Sequence, residues 1–518
     1  MKQQIEKYYP FVPLLLLCVF CAYKAIDLPI HDFSNYYFGA KFLAEGNFNS
    51  EIYFPYQFNK AIFDLGYQTI FVSYAPNSPF LAVFFLPFSW ISVATAKLIF
   101  NSVSIILLVF SIYRLFSFYK LNFKFALLIP ILFLVPLKNS LLFGQVYFLL
   151  FFLLSEGLIA YEKQHLKSMG FLWSLAILLK VFPMLLVLFL ILKKQWKGLF
   201  YLASSCVILL VISTLFTGID IWLFYLKEVL PKASNGEITT AFVDNYQSVF
   251  MFLKRFLVFH ATENSNAIFN HTFLFSALLL AFKIVVLTIG YFVSKNNSNS
   301  LLVFSYWILA MILLSPYGST YTFVLILFPF LALLKSAISD FKKTVFCGVL
   351  LLTNNLPLSF FMEKPFPFSY LRLFFLVAIF VIFMLCFLKK SHLLNAITIG
   401  CIVFGFGTFF KQERAQNSQA ILSQNSPILI YDYQIKNKQL TYFYWNENGE
   451  NSKSIPFRYT INQKITIVNN QVYYNKKQLT FDTSNKLKPI LIDNKTVLYL
   501  SDFDRGIGFY TIRKIKFN

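Results

Sequence analysis

An acidic residue, Asp32, lies just past the first hydrophobic stretch of the chain. The apolar run Pro10 to Asp27 is followed by Leu28-Pro29-Ile30-His31-Asp32-Phe33, then by the aromatic segment Asn35-Tyr36-Tyr37-Phe38. A carboxylate held at a membrane face is costly to desolvate, so Asp32 is a functional candidate by default. Two readings are open. As a general base it takes a proton from an acceptor hydroxyl. As an N-cap it satisfies the first amides of a helix beginning near Phe33.

Other polar residues interrupt apolar surroundings. Ser73-Tyr74-Ala75-Pro76-Asn77-Ser78-Pro79 leads into an apolar segment, and Lys138-Asn139-Ser140 precedes Gly144-Gln145. Lys180 interrupts the long apolar stretch 169–192. On the topology read below, both lysines point to the same face as Asp32. Two cations there suit an anionic phosphate. Each also reads as a lysine snorkelling to lipid headgroups. Asp244-Asn245-Tyr246-Gln247-Ser248 reads as a polar turn before a helix, and Ser315–Tyr321 as a Pro/Gly helix break. No Walker loop, GxSxG elbow, HExxH or DxD motif is placed to act, so ATP hydrolysis, serine hydrolysis and zinc proteolysis find no support. A single outer-loop Asp is also too little for a dedicated divalent-metal site.

The elements that must position these residues follow from composition. The 518 residues are 58% hydrophobic and only 13% charged. Soluble domains carry about 25% charged residues, so most of this chain belongs in lipid. The net charge of +22 falls largely in short loops, where membrane orientation and lipid headgroups explain it better than nucleic acid does. Cys18, Cys21, Cys206, Cys347, Cys386 and Cys401 all lie in apolar runs and read as small buried hydrophobes. No signal-cleavage site is evident, so the first apolar run is expected to remain as an anchor.

Span-length apolar runs fall near 10–27, 97–115, 124–138, 142–160, 168–180, 182–192, 198–216, 271–293, 300–315, 319–335, 344–357, 369–388 and 394–410. The expectation is an all-α polytopic protein of about thirteen transmembrane helices. Lys120, Lys124, Lys163, Lys167, Lys193–Lys197, Lys342, Lys343, Lys389 and Lys390 mark one side as cytoplasmic. That choice puts the N-terminus inside and leaves loops 28–96 and 217–270 outside. It makes 76–93 a re-entrant or surface-lying helix, and 169–192 a hairpin of two short arms meeting near Lys180-Val181-Phe182-Pro183. Residues 1–410 form the membrane domain and 411–426 a linker. Residues 427–518 alternate in short runs and are expected to form a small all-β extracytoplasmic domain, with turns at Asn469-Asn470 and Asn475-Lys476.

The pattern resembles the GT-C membrane glycosyltransferases, most closely family 87, the polyprenol-phosphate-mannose-dependent mannosyltransferase type. Asp32 with Tyr36 or Tyr37, Gly46 and Tyr53 matches the acidic first loop of that family. Tyr74-Ala75-Pro76 matches its Y-x-P step. Gly144-Gln145, Gly170 and Lys180-Val181-Phe182-Pro183 match its GQ…G…K-x-x-P stretch. Asn245-Tyr246-Gln247-Ser248 with Arg255 matches its N-Q-S…R loop, here with a Tyr inserted. The resemblance covers residues 10–335. Many relatives carry a His in the segment Ser315–Tyr321, where this chain offers Tyr321.

The resemblance implies inverting transfer of a mannose-like hexose from a polyprenyl-phosphate donor to a glycan, glycolipid or protein hydroxyl, on the outer face of a bacterial inner membrane. Asp32 is the expected catalytic base. Lys180 and Lys138 are the expected donor-phosphate ligands. Tyr36, Tyr74, Asn77, Gln145, Asn245, Gln247 and Tyr321 are the expected substrate-binding residues. No metal or other cofactor is expected, because the sugar-phosphate lipid is a substrate and its phosphate a good leaving group. The competing readings are a transporter or flippase of lipid-linked sugars, which predicts inverted repeats that the sequence does not show, and an O-antigen ligase- or polymerase-like enzyme.

Overall fold

The computed structural model describes residues 7–26, 28, 32–243, 245–260, 263–407, 418–422, 428–458 and 463–517. Asp27, Asp244 and most of the expected linker lie outside them. The described chain is mostly helical up to residue 407 and all-β from residue 418.

Among the described residues, four helices are long and apolar enough to cross a membrane: Val93–Phe118, Trp196–Thr217, Thr272–Asn296 and Phe368–Phe387. A fifth is counted if the bent pair Phe123–Leu132 and Leu134–Leu142 is one span. A 30 Å hydrocarbon layer needs about 20 helical residues. The remaining apolar helices, such as Tyr9–Lys24, Leu166–Leu179 and Ser300–Leu314, have only 10–17 residues. A count of thirteen full-length spans is therefore more than helix length supports, although each of the thirteen apolar runs does carry helix. The lipid-facing character of the long helices is direct. Trp196–Thr217 buries only Gly198, Leu202, Ser213 and Thr217, and it exposes Phe200, Val207, Ile208, Val211, Leu215 and Phe216. By contrast, Ser300–Leu314 is buried from Leu301 to Leu313 and forms the centre of the bundle.

The breaks have identifiable causes. The expected straight span at 124–138 bends by 67° at Phe133. Pro136 has no N–H to give Leu132, so that carbonyl is freed. The Asn354 amide donates to Leu132 O at 2.9 Å, and Asn355 donates to Ile131 O at 2.8 Å while accepting from Val135 N at 3.1 Å. Side chains of a neighbouring helix thus restore what the kink removes. The segment 76–93 forms a ten-residue helical stretch, Pro79–Phe88, too short to span. It is buried rather than surface-lying: Phe85 packs on Phe33 and Tyr36 of the Phe33–Ala44 helix.

The β domain comprises β1 (Ser418–Ala420), β2 (Leu429–Lys436), β3 (Gln439–Asn446), β4 (Gly449–Pro456), β5 (Gln463–Lys464), β6 (Thr466–Val468), β7 (Gln471–Tyr474), β8 (Lys477–Gln478), β9 (Lys486–Asp493), β10 (Thr496–Ser501) and β11 (Thr511–Lys516). They form antiparallel sheets ordered β1-β11-β10-β9-β5, β2-β3-β4 and β6-β7-β8. Asn437-Lys438, Asn469-Asn470 and Asn475-Lys476 all have positive φ, the backbone that two-residue hairpins require. β1 falls within the expected linker and pairs with β11 instead, where Arg513 donates to the Ser418 hydroxyl and carbonyl, both at 2.9 Å.

This domain docks onto loops of the helical part. Tyr56 stacks on Tyr431 at 3.9 Å and donates to Glu450 at 2.8 Å. Lys232 pairs with Asp502 at 3.1 Å and Glu237 at 3.6 Å, Lys254 with Asp504 at 2.7 Å, and Arg505 with Glu263 at 3.3 Å. Ile507 is buried within the helical core itself.

Two predictions follow from this packing. A Cβ on Gly170 would come within 2.6 Å of the Tyr201 backbone, whereas one on Gly348 meets nothing within 4 Å. Gly170→Ala is therefore expected to cost about 1–3 kcal/mol by overpacking, and Gly348→Ala to hold or raise the melting temperature. Thermal unfolding in detergent measures both. At the junction, burial drives the Glu237 carboxyl from an ordinary 4.5 up to about 7, against the pull of Lys232 and Lys254 and with the repulsion of Asp504 and Asp502. The unfolded chain then ionises at lower pH than the folded one, so stability is lost as pH rises from about 4.5 to 7. The melting-temperature difference between Glu237→Gln and wild type is expected to grow across that window and to level off above it.

Candidate functional site

Asp32 is the N-cap of the Phe33–Ala44 helix, but its side chain makes no capping hydrogen bond. It instead accepts from Gln145 Nε2 at 2.5 Å. Gln145 is 4% exposed, and its Oε1 accepts from the Tyr36 hydroxyl at 2.8 Å. The two contacts fix the amide: with its oxygen occupied by Tyr36, its NH2 must face the carboxylate. The chain brings these residues together through a backbone bond from Phe33 N to Phe143 O at 3.0 Å. Gly144, at φ +65, admits Phe33, whose Cβ would lie 2.7 Å from a Cβ added there.

Lys180 sits where the Leu166–Leu179 helix stops, in extended backbone at φ −146 and ψ 125. Its ammonium donates to Asn77 Oδ1 at 3.2 Å and lies 5.6 Å from the Tyr36 ring centre. Asn77 is held in turn: its N–H reaches Tyr74 O at 3.0 Å, and its carbonyl accepts from Tyr53 at 3.0 Å. Tyr74 is fully buried and donates to Ser78 O at 3.1 Å. The Asp32 charge acts on Lys180 and on Tyr36, Tyr147, Tyr246 and Tyr321. Tyr321 and Tyr147 rings lie 5.1 Å apart, and Tyr147 stacks on Phe182 at 6.3 Å. Burial, and then the Asp32 charge, hold the phenols of Tyr36 and Tyr246 well above their ordinary range. Both stay protonated at neutral pH and remain hydrogen-bond donors.

The structure thus gathers Asp32, Tyr36, Asn77, Gln145, Lys180 and Tyr321 from separate stretches of chain, with Tyr74 behind Asn77. Three expected residues stand elsewhere. Lys138 is exposed, its charge acts on Cys21, and among the described residues no bond joins it to this cluster. Asn245 is exposed. Gln247 is buried and donates to Ser369 O at 3.0 Å, with its backbone against Gly318, where an added Cβ would be 2.3 Å from Gln247 O. Gln247 therefore fixes the loop, and the adjacent Tyr246 packs on Tyr317 at 5.5 Å between ring centres, within reach of the Asp32 charge. Tyr147 and Tyr246 are additions the sequence reading passed over. Tyr147 opens a helix two residues after Gln145. Tyr246 was the residue that interrupted a motif. Among the described residues no group of three His, Cys, Asp or Glu side chains is placed to hold a metal ion.

Residues 76–316 match the family model of glycosyltransferase family 87. No curated protein matches the chain. The matched stretch contains Asn77, Gln145, Lys180 and the 245–248 loop. Asp32 and Tyr36 lie outside it and are joined to it by the Gln145 contacts.

Tyr36→Phe removes the contact that orients the Gln145 amide. On a glycosyltransferase reading of the matched stretch, it is expected to lower turnover about tenfold while the chain still folds, since one neutral hydrogen bond is worth about 1 kcal/mol. Gln145→Glu sets a like charge beside Asp32 and is expected to be the more severe of the two. Initial rates with melting curves on the same preparations check both.

Proposed function

We propose, taking residues 76–316 as a family 87 glycosyltransferase segment, that this membrane protein transfers a hexose from a polyprenyl-phosphate donor to an acceptor hydroxyl, with inversion. The observation that carries the reading is the Asp32 carboxylate. It is held by the neutral amide of Gln145 rather than consumed as a helix cap, and it lies in electrostatic reach of the half-buried Lys180.

Asp32 takes the acceptor proton as the acceptor oxygen bonds the anomeric carbon. The bond from that carbon to the phosphate oxygen breaks, and polyprenyl phosphate leaves with the electron pair. Lys180 stabilises the charge growing on that phosphate. Asn77 and Tyr36, which flank the ammonium, bond the phosphate or the sugar. Tyr147, Tyr246 and Tyr321, all within reach of the Asp32 charge, offer ring faces and hydroxyl donors to the sugar. The leaving group is a phosphate monoester, so the step calls for no metal.

An apolar groove of about 740 Å3 lined by Pro13, Leu17, Ile131, Leu134 and Leu351 fits a prenyl chain. Lys138 and Cys21 stand one helical turn beyond Leu134 and Leu17, past the end of this groove. The distribution of Lys and Arg between the loops supports a cytoplasmic N-terminus, with the site and the β domain on the outer face of a bacterial inner membrane.

The test compares wild type with Asp32→Asn in lipid, supplied with polyprenyl-phosphate sugars and acceptor, and follows release of polyprenyl phosphate. Loss of about 10²-fold or more in rate is expected, in line with removal of a general base. Full turnover by Asp32→Asn would remove the carboxylate from the mechanism.

A further inference from the structure

The outer loop that brings Tyr246 to Asp32 is not held by the helical bundle alone. The turn between β10 and β11, residues 502–508, grips it. Gly506 N donates to Thr239 O at 2.8 Å. The fit is tight enough that a Cβ on Gly506 would lie 1.9 Å from Ile238 O. The same loop carries Tyr246 and Gln247: the Gln247 backbone packs against Gly318, three residues before Tyr321 of the site, and Tyr246 lies within reach of the Asp32 charge. One hydrogen bond and one close backbone contact therefore join the β domain to the loop that carries Tyr246.

Charged groups flank this line on both sides. Lys254 is 5% exposed and donates to Asp504 Oδ1 at 2.7 Å and to Ala241 O at 2.9 Å. Lys232 donates to Asp502 Oδ1 at 3.1 Å and to Arg505 O at 3.2 Å. Asp502 is fully buried and also accepts from Asn485 N at 2.8 Å and Gly508 N at 3.0 Å. Arg505 reaches Glu263 at 3.3 Å. Lysines from the loop thus meet carboxylates from the β domain, while an arginine from the β domain meets a loop glutamate. An alternating, largely buried set of this kind has one register, because any slip leaves a charge unpaired. The same loop is tied to the bundle at its other end, where Ser248 Oγ donates to Pro316 O at 2.6 Å and Tyr246 meets Tyr317 at 5.5 Å between ring centres.

We propose that the 502–508 turn of the β domain is a positioning element of the transfer site: through Asp504, Arg505 and Gly506 it holds the loop that presents Tyr246 to the Asp32 pocket. The assignment rests on the reading of Asp32 as the reacting carboxylate. It gives the β domain a role in catalysis without any contact between that domain and substrate. Asp504, Arg505 and Gly506 are positioning residues, and Tyr246 is the group that meets the sugar.

The test uses the full chain in lipid nanodiscs with Asp504→Asn, Asp504→Glu and Lys254→Gln. Asp504 has φ +60, a conformation Asn tolerates, so Asp504→Asn isolates the charge. Lys254→Gln breaks the same pair from the loop side and leaves the β domain untouched. Hydrogen exchange at residues 238–248 is expected to quicken in Asp504→Asn and Lys254→Gln while β9–β11 stays protected. Turnover is expected to fall about tenfold through kcat, with little change in donor KM, as lost alignment predicts. Asp504→Glu, which keeps the charge, is expected to recover much of both. Unchanged exchange at 238–248 in Lys254→Gln overturns the proposal, as does quickened exchange with undiminished kcat. Exchange reports on the loop whatever reaction is catalysed. A failed Asp32→Asn experiment beside quickened 238–248 exchange would therefore indict the reading of Asp32 and not the clasp.

Discussion

A charge in so apolar a chain is stable only when a partner meets it locally, and the kind of partner decides what the charge can still do. Glu156 lies in an apolar helix and is bound by Arg114 through two bonds, at 3.0 and 2.8 Å. That fork answers the carboxylate's charge with a guanidinium. Asp32 meets the neutral amide of Gln145, with the Lys180 ammonium held by Asn77. A neutral donor orients a carboxylate without itself bringing a charge.

The site also depends on where regular structure stops. Helices turn all their backbone polar groups inward, and only a break frees backbone and side chains to face a cavity. Lys180 can reach Asn77 because its helix ends one residue earlier in extended backbone. The Asp32–Gln145 contact needs the positive φ of Gly144, which lets the chain turn against Phe33. Each break has to be answered elsewhere, as Asn354 and Asn355 answer the kink opposite Pro136. Long stretches of bundle serve chiefly to make such interruptions tolerable.

What was legible in the sequence follows from how local its cause is. Hairpin turns at Asn469-Asn470 and Asn475-Lys476 depend on two residues and were readable. So was the break near Lys180-Pro183. Hydropathy located the apolar helices but could not set their lengths, because a buried central helix such as Ser300–Leu314 is as apolar as a lipid-facing one. β4, reading Gly449-Glu-Asn-Ser-Lys-Ser-Ile-Pro, alternates too weakly to announce itself, yet it pairs along its whole length with β3. β1 owes its existence to Arg513, ninety-five positions away. The acidic first loop, Gln145 and Lys180 could be picked out singly by type and placement. That they form one site is a fact of long-range packing, and Tyr246 joined them only once the loop around Gln247 was placed.

The β domain shows why the charged residues of such a chain are spent so unevenly. Apolar burial alone would dock this domain loosely, since hydrophobic contact has no direction and tolerates sliding. The junction adds the Tyr56–Tyr431 stack, which is planar and specific, and ion pairs of alternating sense around Asp502, Asp504 and Arg505. Buried pairs of this kind contribute little net stability over well-packed apolar groups, and their best-attested use is to fix register. A domain that merely displayed a surface would need no such register. One that must place a loop against a carboxylate does, and the charges lie along the stretch of junction where that loop begins.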